Sequence, residues 1–141
     1  AHNNLAVALK RNGDLEKALD VFNRAVGLRE GYAEAWSNRG WVHFEQEKWR
    51  EARADFEKAL SLNPQDQGAL YGMSRVLKQQ RDYVGAQQAL RKLISRSPNF
   101  VYWLQLAQLQ LVRYYWVLIL IALAFLVHSK YRKMRLKSYG S

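Results

Sequence analysis

Histidine and cysteine, the residues most often found in catalytic and metal sites, are scarce in this chain. The three histidines, His2, His43 and His128, do not have the spacing that places two metal ligands on one helical face. Cysteine is absent, which excludes thiolate nucleophiles, disulfides and cysteine-bound metals. The sequence also contains no glycine-rich phosphate loop and no serine-nucleophile motif. We therefore predict a protein that is not an enzyme and has no cofactor, metal or small-molecule substrate.

Two pairs of carboxylates remain as candidates for acid–base chemistry. They are Glu45 with Glu47 and Asp55 with Glu57. Nothing near either pair marks one member as an acid and the other as a base. We expect all four side chains to lie on solvated faces of helical turns.

The elements that would position these residues follow an internal repeat of about 34 residues. Each unit has apolar residues at intervals of three and four, which predicts two helices of about a dozen residues. Small residues allow the paired helices to approach closely, and large ones fill the gaps between layers. The recurring columns are Ala6/Gly40/Ser74, Leu15/Trp49/Tyr83, Ala18/Ala52/Ala86, Phe22/Phe56/Leu90 and Ala25/Ala59/Leu93. The sequence therefore predicts an all-α solenoid of helix–turn–helix units.

These columns resemble the tetratricopeptide repeat family over roughly residues 1–112. The second unit resembles it most, with family-type residues at Trp36, Gly40, Ala52, Phe56, Ala59 and Pro64. It departs from the family pattern at Arg39, where leucine is usual, and at His43, where tyrosine is usual. The resemblance implies a non-enzymatic protein-binding scaffold, in which His43 has a packing role.

The repeat columns and the apolar pattern together predict four segments. The first is an array of three repeats, and the second is a helix that caps the array. A transmembrane helix and a basic tail complete the chain. The predicted bounds are 1–32, 33–66 and 67–100 for the repeats, 101–113 for the capping helix, 114–129 for the transmembrane helix (109–129 at its widest) and 130–141 for the tail.

The transmembrane prediction depends on residues 114–129, which carry no charge. Sixteen residues of helix extend about 24 Å, and extension back to Leu109 approaches the ~30 Å of a bilayer core. An alternative is a C-terminal capping helix, but such a helix has a polar outer face. The flanks are typical of a membrane interface. The predicted interface residues are Arg113, Tyr114, Tyr115, Trp116, Lys130, Tyr131, Arg132 and Lys133.

The net charge of +10 lies mainly in the second half of the chain, where Asp82 is the only acid after position 66. Because the excess charge flanks an apolar segment, we expect anionic lipid headgroups rather than nucleic acid as its partner. Basic residues are more frequent on the C-terminal side, which predicts a tail on the cytoplasmic, matrix or stromal side of a single-pass protein.

No proline or glycine interrupts residues 101–127, which predicts one continuous helix through the array's end and the membrane. In this helix we expect Leu104, Ala107 and Leu111 to face the third repeat. Gln105 and Gln108 form a polar stripe.

By the geometry of the family, the concave surface is built from the first helix of each repeat. The groove positions with aromatic or charged side chains are candidates for partner contact, because exposed aromatics often anchor protein interfaces. The resemblance places the groove at Asn3, Val7, Lys10, Glu34, Ser37, Trp41, Phe44, Tyr71, Arg75 and Lys78. Some family members clamp the C-terminal carboxylate of chaperones, but of the clamp positions only Asn38 matches. Asn3, Val7, Gly68 and Gly72 do not, so we do not expect chaperone-tail binding.

The leading hypothesis is a membrane-anchored scaffold that binds proteins and supports the assembly or stability of a membrane complex. A second is a tail-anchored receptor for soluble partners in protein import or organelle fission. The order of repeats, anchor and basic tail resembles that of the mitochondrial fission receptor family, whose repeats face the cytosol. A third is a permanent structural subunit of a large membrane complex.

Overall fold

The computed structural model describes residues 2–138, with side chains for residues 4–112 and 114–132. Residues 2–138 form seven helices and no strand, which confirms the all-α prediction. The helices are α1 His2–Arg11, α2 Leu15–Leu28, α3 Ala33–Glu45, α4 Trp49–Leu62, α5 Gln67–Gln79, α6 Tyr83–Arg96 and α7 Phe100–Ser138. The chain divides into two compact units, Ala1–Trp103 and Leu104–Ser141.

The turns within the three helix pairs repeat one backbone conformation. Gly13, Glu47 and Arg81 occupy the same position in successive repeats and have φ values of 85°, 60° and 62°. Glycine adopts this left-handed conformation at little cost, whereas glutamate and arginine are less favourable there. Because the two non-glycine residues still adopt it, the repeat geometry overrides local preference at this turn.

The predicted columns form the interior of the array. Ala18, Ala52 and Ala86 are fully buried, and so is Phe56. The Phe56 ring lies against two glycines: a Cβ at Gly40 would be 2.8 Å from the ring, and a Cβ at Gly72 would lie closer still. Real Cβ atoms do not approach so closely, so these positions require glycine as long as Phe56 keeps this place.

A buried polar cluster replaces part of the apolar core in the second repeat. Asp55 is only 3% exposed, so the prediction that it is solvated was wrong. Two nitrogen atoms of Arg39 donate to its carboxylate at 2.6 and 2.8 Å, and a third donates to Asn23 at 3.0 Å. Nε2 of His43 lies 3.7 Å from the same carboxylate. The pairing of the guanidinium with the carboxylate compensates for the water that both groups lose. Glu45, Glu47 and Glu57 are exposed, as expected.

Within this cluster, burial lowers the pKa of His43, and the positive charges of Arg39 and Lys48 lower it further. The carboxylates of Asp55 and Glu51 act in the opposite direction. The Nδ1 atom of His43 is buried and has no hydrogen-bond partner among the described residues.

Helix α7 continues through the position where the repeat pattern would place a turn. Its stretch Phe100–Arg132 is, among the described residues, the one helix long and apolar enough to cross a membrane. The prediction that Leu104 and Leu111 lie on the packed face of α7 was wrong. Leu104 is 48% exposed and Leu111 69%, whereas Leu106 and Leu109 are buried. Apolar residues occur on several faces of α7, so their periodicity does not determine which face packs.

Candidate protein-binding groove

Three aromatic rings form a diagonal row across the first helices of successive repeats. The Trp41 ring on α3 lies 5.8 Å from Tyr71 on α5, measured between centroids. Tyr71 in turn lies 5.4 Å from Tyr102, in the first turn of α7. All three side chains are half-buried, so each offers part of its ring to solvent. We call these three residues the aromatic row.

Other aromatic side chains pack against the buried side of the aromatic row. Trp41 contacts Phe44 and Phe56 edge to face, each at 5.5 Å between centroids. Phe44 is buried and contacts Trp49 at 5.0 Å. Edge-to-face pairs of this kind contribute about 0.5–1.5 kcal/mol beyond area burial, so the Trp41 ring is held in a defined orientation.

Cationic side chains lie on both sides of Trp41. Nζ of Lys10 is 5.8 Å from the Trp41 ring and 3.4 Å from a carboxylate oxygen of Glu45. On the other side, the guanidinium of Arg75 lies 5.2 Å from the Phe44 ring, and Lys78 is exposed one helical turn further along α5. The groove therefore combines apolar rings with positive charge.

Gly68 lies beside the nitrogen of Trp41 in a closely packed position. A Cβ added there would be 3.2 Å from Oδ1 of Asp66, 3.3 Å from the hydroxyl of Ser37 and 3.9 Å from Nε1 of Trp41. Among the described residues no acceptor receives a hydrogen bond from the Trp41 indole.

The residues predicted for the groove do not all present their side chains to solvent. Trp41 and Tyr71 are half-buried, whereas Glu34, Arg75 and Lys78 are exposed. The remaining positions differ: Ser37 and Phe44 are buried, Val7 and Lys10 are half-buried, and the Asn3 side chain lies outside the described residues. Ser37 bonds to Asp66 at 3.5 Å, and Glu34 accepts a hydrogen bond from Tyr32.

Tyr102 was not among the groove residues predicted from the sequence. Its signal was present, since Tyr102 continues the repeat column of Glu34 and Gly68, which is a groove column. The residue was overlooked because residues 101–113 were interpreted as a cap rather than as a wall of the groove.

The predicted membrane-interface residues are exposed where the structure describes them. Tyr114, Tyr115, Trp116 and Tyr131 are each 59–69% exposed, and Lys130 and Arg132 are exposed too. Tyr115 and Trp116 contact each other at 6.5 Å between centroids. The side chains of Arg113 and Lys133 lie outside the described residues.

The stacked helix pairs define a helical-repeat module. Among the described residues no group of three or more His, Cys, Asp or Glu side chains could hold a metal ion.

Family models give this module its name. Three tetratricopeptide repeat models match residues 1–33, 33–66 and 68–99 in succession. The chain belongs to the tetratricopeptide repeat family, whose members are generally non-enzymatic scaffolds that bind protein partners.

Two curated relatives and one solved structure are similar to the chain. A TPR repeat-containing protein of Rhizobium etli is 36% identical over 72 residues, which cover 51% of this chain and 34% of the relative. The cytochrome c-type biogenesis protein CycH of Rhizobium meliloti is 33% identical over 111 residues, covering 72% of this chain and 28% of the relative. The chain thus spans about a third of the length of these relatives.

The solved structure is the first TPR domain of Spaghetti (RPAP3) bound to an HSP90 peptide. It superposes with a TM-score of 0.76 at 16% identity, covering 79% of this chain and 89% of that chain. At this identity the likeness shows a shared fold.

Proposed function

We propose that the protein is a membrane-anchored tetratricopeptide scaffold. Its groove binds a protein partner, and α7 holds it in a membrane, where it supports the assembly or stability of a membrane complex. The observation that carries the proposal is that α7 runs without a break from a groove residue, Tyr102, into an exposed apolar segment.

The exposed apolar surface of α7 supports the anchor. Leu118, Leu120 and Phe125 are 64–71% exposed, and Val127 is 63% exposed. Burying one such side chain is worth about 1.5–3 kcal/mol, so a bilayer would cover this segment at a large gain in free energy. Tyr114, Trp116 and Tyr131 then lie at headgroup level, and the basic residues beyond Ser129 contact anionic lipids.

Two features favour a role in assembly over one as a receptor for soluble partners. A groove and an anchor on one chain suit a partner that is itself in the membrane. The relative from Rhizobium meliloti, which aligns with 72% of this chain, is named for cytochrome c-type biogenesis. These two features support the assembly role that we propose for this chain.

The membrane half of the proposal is tested by alkaline carbonate extraction of the full chain. We expect the parent protein to stay in the membrane pellet. Leu120→Arg should cost about 2.5–3.5 kcal/mol of insertion free energy and release protein to the supernatant. Leu28→Arg is the matched control, because Leu28 is 78% exposed on α2 and arginine there changes little. Release of the parent protein would refute the anchor.

The partner half is tested with a photo-crosslinking amino acid at position 78, in the groove, and at position 92 on α6 as the control. Both Lys78 and Lys92 are exposed. We expect the crosslinker at position 78 to capture a membrane protein and the crosslinker at position 92 to capture none. Protease protection in sealed vesicles then assigns the side on which the repeats lie, and capture of soluble proteins only would favour the receptor hypothesis.

A further inference from the structure

Helix α7 has a regular row of exposed apolar side chains along one side. Counted from Leu104, these residues follow one another at intervals of three, four, three, four and three. This alternation is that of the a and d positions in the heptad repeat, through which helices pair side by side in a coiled coil. All six residues are exposed, and the five larger ones are each 48–69% exposed. We call them the α7 seam: Leu104, Ala107, Leu111, Tyr114, Leu118 and Ile121.

The segment that precedes the predicted membrane span shows the seam most clearly. Between residues 104 and 112 the polar residues are three glutamines, and none of them takes a seam position. Gln108 and Gln110 are exposed and take heptad positions e and g, which border the seam of a coiled coil. Leu106 and Leu109 are buried and take positions c and f, on the opposite side of the helix. The segment therefore has two apolar faces, and the seam is the one left uncovered among the residues that the structure describes.

Lipid alone does not cover the whole length of the seam. If the basic residues from Lys130 onward mark one edge of the span, a hydrocarbon core of ~30 Å takes about 20 residues and ends near Gln110. Leu104 and Ala107 then lie outside the core, where water contact with apolar surface is unfavourable. A partner that covers the whole seam must itself be a helix that runs from outside the bilayer into it. A second copy of α7 has this form, and copies inserted in one membrane with the same orientation are parallel.

The seam is also compatible with a copy of itself. It carries no charge, so two seams in contact do not repel each other. Arg113 is the one charged residue between positions 100 and 129, and it takes position c, which is not part of the seam. Gln110 at position g and Tyr115 at position e carry polar groups that can form hydrogen bonds between paired helices. Pairs of transmembrane helices commonly cross at the angle of a coiled coil, so one seam can serve outside and inside the bilayer.

From these observations we propose that the protein self-associates through α7, with two copies paired in parallel along the α7 seam. The pairing begins outside the hydrocarbon core at Leu104 and continues within it to Ile121. It goes beyond the proposed function, which needs only one copy, and it rests on the same membrane anchor. A helix of a different protein would need a matching apolar row both outside and inside the bilayer, whereas a second copy supplies that row in register.

The first test uses single cysteines in the full chain, which has no cysteine of its own. Leu111→Cys and Leu118→Cys each place a thiol in the seam. Leu123→Cys is the matched control, because it makes the same change in the apolar segment at position f, on the side away from the seam. After oxidation in phospholipid vesicles we expect disulfide-linked dimers from the two seam variants only, since paired Cα atoms must lie within ~7 Å for a disulfide to form. Equal crosslinking of all three variants, or none in the seam, would overturn the pairing.

The second test measures the molar mass of the full chain in neutral detergent. Leu111 and Val112 are neighbouring exposed residues, but only Leu111 belongs to the seam. We expect the parent and the control Val112→Glu to have twice the mass of one chain. Leu111→Glu should halve this mass, because it places two carboxylates opposite each other in the seam.

A parent protein with the mass of one chain would contradict self-association. If that protein still stayed in the membrane pellet after carbonate extraction, the seam would be wrong and the proposed anchor would stand. A photo-crosslinker at position 118 that captured a different membrane protein and no second copy would also overturn the proposal, and would assign the seam to that partner.

Discussion

The second and third repeats place different chemistry at the same three internal positions. In the second repeat the positions hold a buried ionic cluster, and in the third they hold apolar side chains. The equivalent pairs are Arg39/Met73, His43/Leu77 and Asp55/Ala89. Leu77 and Ala89 are each 7% exposed and Asp55 is 3% exposed, whereas Arg39, His43 and Met73 are half-buried. At these positions the repeat fold therefore fixes the side-chain volume and the register. It accepts either polar or apolar side chains, provided that the three residues change together.

The largest effect should follow from breaking the cluster at one member. Asp55→Ala leaves the half-buried Arg39 guanidinium without its carboxylate and should destabilise the protein by up to about 3–5 kcal/mol. Replacing all three residues with the set of the third repeat (Arg39→Met, His43→Leu, Asp55→Ala) should recover most of this loss, since apolar replacement of a buried ion pair is often neutral or stabilising. Urea unfolding, followed by a signal from the repeat array, measures the free energy of unfolding of the single and the triple variant. A triple variant as unstable as the single one would show that the two repeats are not equivalent.

A smaller effect should be the same in both repeats. Ala52 and Ala86 occupy one column and are each fully buried. Leucine at either position would overpack a close helix contact and should cost about 1–3 kcal/mol. Thermal melting of Ala52→Leu and Ala86→Leu checks this, with Ala54→Leu as an exposed control on α4. Unchanged melting at either buried position would mean that the column is misassigned.

The smallest effect is a dependence on pH that only the second repeat should have. Burial and the charge of Arg39 lower the pKa of His43 below its usual 6.5. The unfolded chain therefore binds this proton more readily, so stability should fall as the pH drops below about 6.5 and level off below the lowered pKa. The triple variant, which contains His43→Leu, should have a melting temperature that changes less over this pH range. If the melting temperature changed equally with pH in the parent and the triple variant, other titratable groups would account for the dependence.

The solenoid was predictable because its columns combine small and large residues at one spacing. Ala52 and Phe56 are buried where the period places them. The burial of Asp55 was not predicted, because a charged residue on a helix is usually solvated and its partner Arg39 is 16 residues away in sequence. A signal did exist: Arg39, His43 and Asp55 all depart from an otherwise apolar set of positions.

The groove was predictable only in part, for a related reason. Periodicity identifies the groove-side helix positions, and Trp41 and Tyr71 do lie in the aromatic row. Periodicity does not give the depth of each side chain, which depends on its neighbours. Phe44 is covered by Trp41 and Trp49, so it supports the row from beneath.

The position of Phe56 has a consequence for the order in which the array loses structure. In most helical solenoids each repeat contacts only its neighbours, and local unfolding can begin at any interface. Here one ring from α4 fills the space left by Gly40 on α3 and Gly72 on α5. Separating the second repeat from the third would expose the side of this ring that faces Gly72 and leave the other side against Gly40. Amide hydrogen exchange should therefore show α3, α4 and α5 opening as one cooperative unit, while α1 exchanges earlier.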